Sequence, residues 1–140
     1  MIIVVCGATA SYKTRLSVDL AKRYNGIVVN ADSLQVYKEL DIATAKIKEE
    51  EKEGIPHYLF DIVDKNDMYT VYDYQKDLRN ILDNNKDKNI IIVGGTGLYI
   101  KAGLYNYVFE DDTSYDTYND ISNEELYEKV KEKYPNLDIH

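Results

Sequence analysis

The 140-residue chain has one cysteine, no unbroken apolar stretch near the ~20 residues a membrane helix needs, and no surplus of basic charge. Each scarcity removes a class of protein. A lone Cys6 cannot close an internal disulfide; it reads as a small core residue at the end of a buried strand, in a reducing compartment. Without a long apolar run there is no candidate membrane span, and 44% hydrophobic residues fit a globular chain that buries a core. The N-terminus lacks a basic flank followed by a small-residue cleavage site, so no export signal is read and a cytoplasmic location is expected. The net charge is −8 and unevenly placed: ten acidic residues face three lysines from Tyr105 onward, whereas the first 104 residues carry fifteen against fourteen. The front part is nearly neutral and the tail repels nucleic acid. That tail argues against strong RNA binding by this chain alone, since a protein that grips phosphates normally shows a basic footprint.

Apolar β-branched runs alternate with helical patterns, which predicts an α/β fold with a parallel sheet and helices on both faces. Ile2-Ile3-Val4-Val5-Cys6 reads as a strand buried on both faces. It runs into Gly7-Ala8-Thr9-Ala10-Ser11-Tyr12-Lys13-Thr14, which has the spacing, lysine and hydroxyl of a phosphate-binding loop, with tyrosine where the pattern has its second glycine. In such a loop successive backbone N–H groups and the start of the next helix cradle a diphosphate or triphosphate. Lys13 would neutralise the outer phosphates and Thr14 would offer its hydroxyl to Mg²⁺. A glycine before the lysine takes positive φ without strain; a tyrosine there costs roughly 1–2 kcal/mol in left-handed geometry. An ordinary strand–turn–helix junction would explain the same eight letters.

Leu16, Leu20, Ala21 and Tyr24 recur at helical spacing over residues 13–24, and Asn25-Gly26 ends the pattern. Ile27-Val28-Val29-Asn30 is a second strand, followed by Ala31-Asp32-Ser33-Leu34-Gln35-Val36-Tyr37. In an open α/β sheet the carboxyl ends of the strands face the ligand crevice, so Asp32 is expected beside the phosphate loop, as a general base, a metal holder through water, or a helix cap. Lys46 reads as a phosphate ligand or, taken singly, as the start of a solvated charged run. His57 reads as a polar residue bonding locally in front of a third strand, Tyr58-Leu59-Phe60-Asp61-Ile62-Val63. Thr70 with Asp73 opens a capped helix striped by Val71, Tyr74, Leu78, Ile81 and Leu82, which ends near Asn85. Asn89-Ile90-Ile91-Ile92-Val93 is the fourth strand. It leads to Gly94-Gly95-Thr96-Gly97, where glycines permit close approach of a ligand or another backbone, and then to a short helix. Residues 106–120 show no periodicity; Ser122 with Glu125 starts a last helix striped by Leu126, Val130 and Tyr134.

These motifs together resemble the tRNA dimethylallyltransferases, also called tRNA isopentenyltransferases. The resemblance runs in order through the loop of residues 7–14, the Asp32-Ser33-Leu34-Gln35 cluster, Asp41-Ile42-Ala43-Thr44-Ala45-Lys46, Gly54-Ile55-Pro56-His57 and Val93-Gly94-Gly95-Thr96-Gly97-Leu98-Tyr99. It implies a P-loop NTPase-like fold and transfer of a dimethylallyl group from its diphosphate to the exocyclic amine of the adenosine beside the anticodon. It also implies that Gly7, Thr9, Ala10, Ser11, Tyr12, Lys13 and Thr14 bind the diphosphate, with Thr14 on Mg²⁺. Asp32 would take the amine proton, Ser33, Leu34 and Gln35 would border a flipped-out adenine, and Thr96 would lie at the same site and contact the RNA. The family usually has glycine at Tyr12, proline at Ala8, glycine at Ala43 and proline at Ile47, and its members are considerably longer. Residues 1–104 would be an incomplete catalytic domain, and residues 105–140 the start of a helical tRNA-binding insertion or an acidic tail. Two other classes of answer stay open: a non-catalytic remnant that binds a partner, and a small-molecule kinase of related fold.

Overall fold

The structure, a computed structural model, describes residues 1–7, 12–40, 46–109 and 122–133. The chain divides into two compact units, residues 1–109 and residues 110–140. In the first unit, strands β1 (Ile2–Cys6), β2 (Gly26–Asn30), β3 (His57–Tyr58) and β4 (Asn89–Gly94) form one sheet in the order β1-β4-β2-β3, and every pairing is parallel. The helices are α1 (Lys13–Arg23), α2 (Val71–Asn84) and α3 (Gly97–Leu104). Among the described residues of the second unit there is α4 (Asn123–Lys133), where Ser122 and Glu125 exchange backbone-to-side-chain hydrogen bonds of 3.3 Å.

Side chains of consecutive strand residues alternate between faces, and the two cores follow that alternation. Ile27, Val29, Ile90 and Ile92 pack with Tyr74, Leu78, Ile81 and Tyr99 of α2 and α3. Val28, Ile91 and Val93 pack with Val5 and with Ala21 of α1. The parallel sheet with flanking helices is the fold class the apolar runs predict. At the start of α2, Thr70 accepts from the Asp73 amide at 3.2 Å while Asp73 accepts from the Thr70 amide at 2.8 Å, the reciprocal cap read in the sequence.

Three expectations fail. β1 is not buried on both faces: Ile3 and Val5 pack with Ala21 of α1 on one face, while on the other Ile2 is 46% and Val4 37% exposed. A continuous apolar run signals a parallel strand, but not whether both of its faces are covered. For the same reason Cys6 is exposed and is no core residue. The third strand stops at Tyr58, because Leu59 (φ 63°) and Asp61 (φ 54°) take left-handed backbone, which breaks the extended run; one isolated parallel bridge joins Val63 to Tyr37.

His57 bonds locally as expected: its Nδ1 lies 2.7 Å from the Ile55 carbonyl oxygen, leaving Nε2 buried and unpartnered among the described residues. Burial lowers its pKa below the ordinary value, against a smaller opposing effect of the hydrogen bond to Ile55. The folded state therefore binds this proton less readily than the unfolded chain, and stability is lost as pH falls through about 6.5 towards the folded value. Thermal melts between pH 7.5 and 5.5 should show a falling Tm, with a flatter profile for His57→Gln. Glu53, lowered by hydrogen bonds from Lys22 and Arg15, acts in the separate window below the ordinary carboxylate pKa. Equal slopes for the two proteins would remove His57 as the cause.

Candidate active site

All four strands are parallel, so the segments leaving their carboxyl ends share one edge of the sheet. β4 lies between β1 and β2, with Cys6 opposite Gly94 and Asn30 opposite Val93. The exit of β4 touches both neighbours. A Cβ on Gly94 would stand 2.2 Å from the Ala31 carbonyl carbon and 2.3 Å from its oxygen, and one on Gly95 would stand 3.7 Å from the Gly7 carbonyl oxygen. β1 and β2 are thus two strand spacings apart, about 10 Å, enough for a small molecule between their exits.

On the β1 side, Gly7 is exposed; Ala8, Thr9, Ala10 and Ser11 lie outside the described residues. Tyr12 has φ 58° and ψ 13°, the left-handed conformation that a glycine at this position would supply freely, and its side chain is 87% exposed. Lys13 and Thr14 begin α1, which the Tyr12 side chain does not cap and whose first turn holds no acidic residue. Its leading N–H groups and positive dipole end favour an anion. Tyr12→Gly removes left-handed strain at little packing cost. It should stabilise the chain by about 1 kcal/mol in urea melts and tighten diphosphate binding in calorimetry. No gain in either measurement would mean that the tyrosine is unstrained and harmless there.

On the β2 side, Asp32 closes a tight turn: its Oδ1 accepts from the Leu34 amide at 2.9 Å. Thr96 precedes α3 but does not cap it with its side chain; instead its Oγ1 accepts from the Ser33 amide at 3.0 Å and lies 3.3 Å from the Ser33 hydroxyl. The Thr96 amide donates to the Ala31 carbonyl at 3.0 Å. Asp32, Ser33 and Thr96 are therefore one cluster, with Leu34 54% exposed beside it and the Gln35 carbonyl held by the Asp61 amide at 3.2 Å. Sequence reasoning gave Asn30 no role. It is fully buried, and its Nδ2 donates to the Asp32 carbonyl at 3.0 Å and the Leu59 carbonyl at 2.9 Å, while its Oδ1 accepts from the Asp32 amide at 2.9 Å. The available signal was a polar residue closing an otherwise apolar strand, which burial obliges to find hydrogen bonds.

Lys46 does not belong to a solvated run. Only 5% of its side chain is exposed; Nζ donates to the Tyr37 carbonyl at 2.5 Å and pairs with Asp61. The neighbouring residues 41–45 lie outside the described residues. Among the described residues no group of three His, Cys, Asp or Glu gathers to hold a metal, and no helix is long and apolar enough to cross a membrane.

The family model described as IPP transferase matches residues 35–138. A tRNA dimethylallyltransferase of Anoxybacillus flavithermus is 46% identical over 140 residues, covering 96% of this chain and 45% of the relative. One from Staphylococcus aureus is 47% identical over 114 residues, covering 80% of this chain and 37% of the relative. The chain thus spans less than half the length of these relatives. Among solved structures, a tRNA isopentenylpyrophosphate transferase of Bacillus halodurans superposes with a TM-score of 0.76 at 35% identity, over 96% of this chain and 48% of that one. A eukaryotic dimethylallyltransferase acting on tRNA gives a TM-score of 0.75 at 29% identity, over 96% and 36%.

Proposed function

The chain belongs to the tRNA dimethylallyltransferase (IPP transferase) family, and on that footing we propose that it carries the diphosphate-handling and proton-accepting end of a tRNA prenyltransferase. The donor is dimethylallyl diphosphate and the acceptor is the exocyclic amine of the adenosine beside the anticodon of a tRNA. The observation that carries this reading is the bond from the Ser33 amide to Thr96 Oγ1, which ties the Asp32 turn to the exit of β4, next to the exit of β1 and the start of α1.

The roles follow from the chemistry of the step. The amine lone pair attacks the allylic carbon; the carbon–oxygen bond breaks with its electron pair leaving on the diphosphate; the proton released from nitrogen passes to the Asp32 carboxylate. Backbone N–H groups at the head of α1, the Lys13 ammonium and the loop residues Gly7, Thr9, Ala10, Ser11 and Tyr12 would receive the departing negative charge. Thr14 fits Mg²⁺ in the manner usual for that ion, one protein oxygen supplemented by phosphate oxygens and water, where the ion would neutralise the leaving group. Ser33, Leu34 and Gln35 border the space an unstacked adenine would enter, and Thr96 lies beside them. A cytoplasmic location belongs to the same reading, since its tRNA substrate would be met there and Cys6 has no partner cysteine in the sequence.

The test is transfer of label from dimethylallyl diphosphate to unmodified tRNA by the purified chain. Labelled RNA is the expected result. Absence of label, together with micromolar binding of a nucleoside triphosphate but not of dimethylallyl diphosphate, would replace this reading with a small-molecule kinase.

A further inference from the structure

We infer that Asn30 is a positioning residue: it fixes the backbone on both sides of the Asp32 side chain, and so sets where that carboxylate stands. The inference rests on the role proposed for Asp32. Asn30 is fully buried, and all three of its hydrogen bonds reach the main chain: the Asp32 amide, the Asp32 carbonyl and the Leu59 carbonyl. The first two grip the peptide groups flanking one residue. The third anchors that grip to a segment outside the turn.

The anchor is strained. Leu59, buried in the core, holds φ 63°, and Asp61 holds φ 54°. A left-handed leucine is strained by its Cβ, and such strain persists where surrounding structure over-determines it. Here the strained backbone directs the Leu59 carbonyl to Asn30 and the Asp61 amide to the Gln35 carbonyl. Lys46, bonded to the Tyr37 carbonyl and paired with Asp61, closes the bracket from the other end of the turn. The Asp32 segment is thus held from within by one amide side chain and from outside by residues 59–63. None of these atoms belongs to the loop at the head of α1, so loss of the Asn30 grip should alter the chemical step without altering diphosphate binding.

Asn30→Asp tests this, because it preserves shape while turning the amide donor into an oxygen that faces two carbonyls. Asn30→Ser, which keeps a donor, is the rescue variant. The readouts are thermal melting, amide hydrogen exchange and transfer kinetics. The expected result for Asn30→Asp is loss of protection at the Leu34 amide with retained protection at Ile91 and Ile92. A fall in kcat of about tenfold or more should accompany it, with KM for dimethylallyl diphosphate within about twofold. Asn30→Ser should recover part of both. Unchanged Leu34 protection and kcat would overturn the inference, and so would a parallel loss of core protection, kcat and KM, which marks a merely structural residue. If Asn30→Asp does not fold, the same comparison is made between Asn30→Ser and the parent chain. If the parent chain transfers no label, the prenylation reading fails by itself, and Leu34 protection alone decides whether Asn30 positions the Asp32 turn.

Discussion

Replacing Gly94 with alanine is expected to destabilise the chain by about 3 kcal/mol or more, enough to unfold much of a marginally stable domain. The added methyl would stand 2.2 Å from the Ala31 carbonyl carbon, 2.3 Å from its oxygen and 2.8 Å from its Cα. All three are backbone atoms, so no side chain can swing away; β2 and β4 would have to part where the Ala31 amide bonds Val93 and the Thr96 amide bonds Ala31. Those two hydrogen bonds also bring the Asp32 turn to Thr96, so the site should be lost with the fold. Gly95→Ala is the control: its nearest approach among the described residues is 3.7 Å, an ordinary contact, and its cost should stay within about 0.5 kcal/mol. Urea melts followed by circular dichroism measure both. Similar midpoints for the two variants would mean that the strand exits are not as closely packed as described.

Asp32→Asn is expected to lower the transfer rate by about 10²–10⁴-fold while leaving the melt almost unchanged. The amide oxygen of asparagine can still accept the Leu34 amide proton, so the turn closes as before; what disappears is the basic oxygen that, in the proposed reaction, would take the proton from the amine. Asp32→Ala removes both functions and should lose stability as well, by about 1 kcal/mol, the usual cost of deleting a turn-closing side chain. The pair separates two of the readings that the sequence alone leaves open, base and cap. An asparagine variant as active as its parent, with only the alanine variant impaired, would make Asp32 a capping residue and no base.

What the sequence reveals here is what local physics determines. The helix over residues 71–84 was legible because Thr70 and Asp73 satisfy each other's backbone groups three residues apart, a purely local arrangement. β4 was legible because the four apolar residues between Asn89 and Gly94 need burial on two faces. The placement of β1 was not legible, since its apolar run reports what each residue tolerates and not which strands lie alongside. The early end of β3 depends on left-handed backbone at Leu59 and Asp61, which neither residue type announces and which long-range bonds to Asn30 and Gln35 hold in place. Lys46 was misread for a similar reason: it opens a charged stretch in the sequence, yet its partners, Tyr37 and Asp61, are remote in the chain. At the site, the resemblance groups Asp32, Ser33 and Thr96, and the hydrogen bonds between Ser33 and Thr96 hold the turn that carries Asp32 against the exit of β4. Asn30 signals itself only as a polar letter at the end of an apolar strand, and its role depends on hydrogen bonds to Asp32 and Leu59 that the sequence does not announce.

In the proposed reaction the head of α1 and the Asp32 turn serve one reacting pair of molecules. Backbone amide shifts titrated first with a non-transferable thio analogue of dimethylallyl diphosphate, then with an anticodon stem-loop, test it most directly. The analogue should move Lys13 and Thr14, and the stem-loop should then move Ser33, Leu34, Gln35 and Thr96 while the first set stays saturated. A stem-loop that competes the analogue away from Lys13 and Thr14, or that moves none of the four residues on the β2 side, would contradict it.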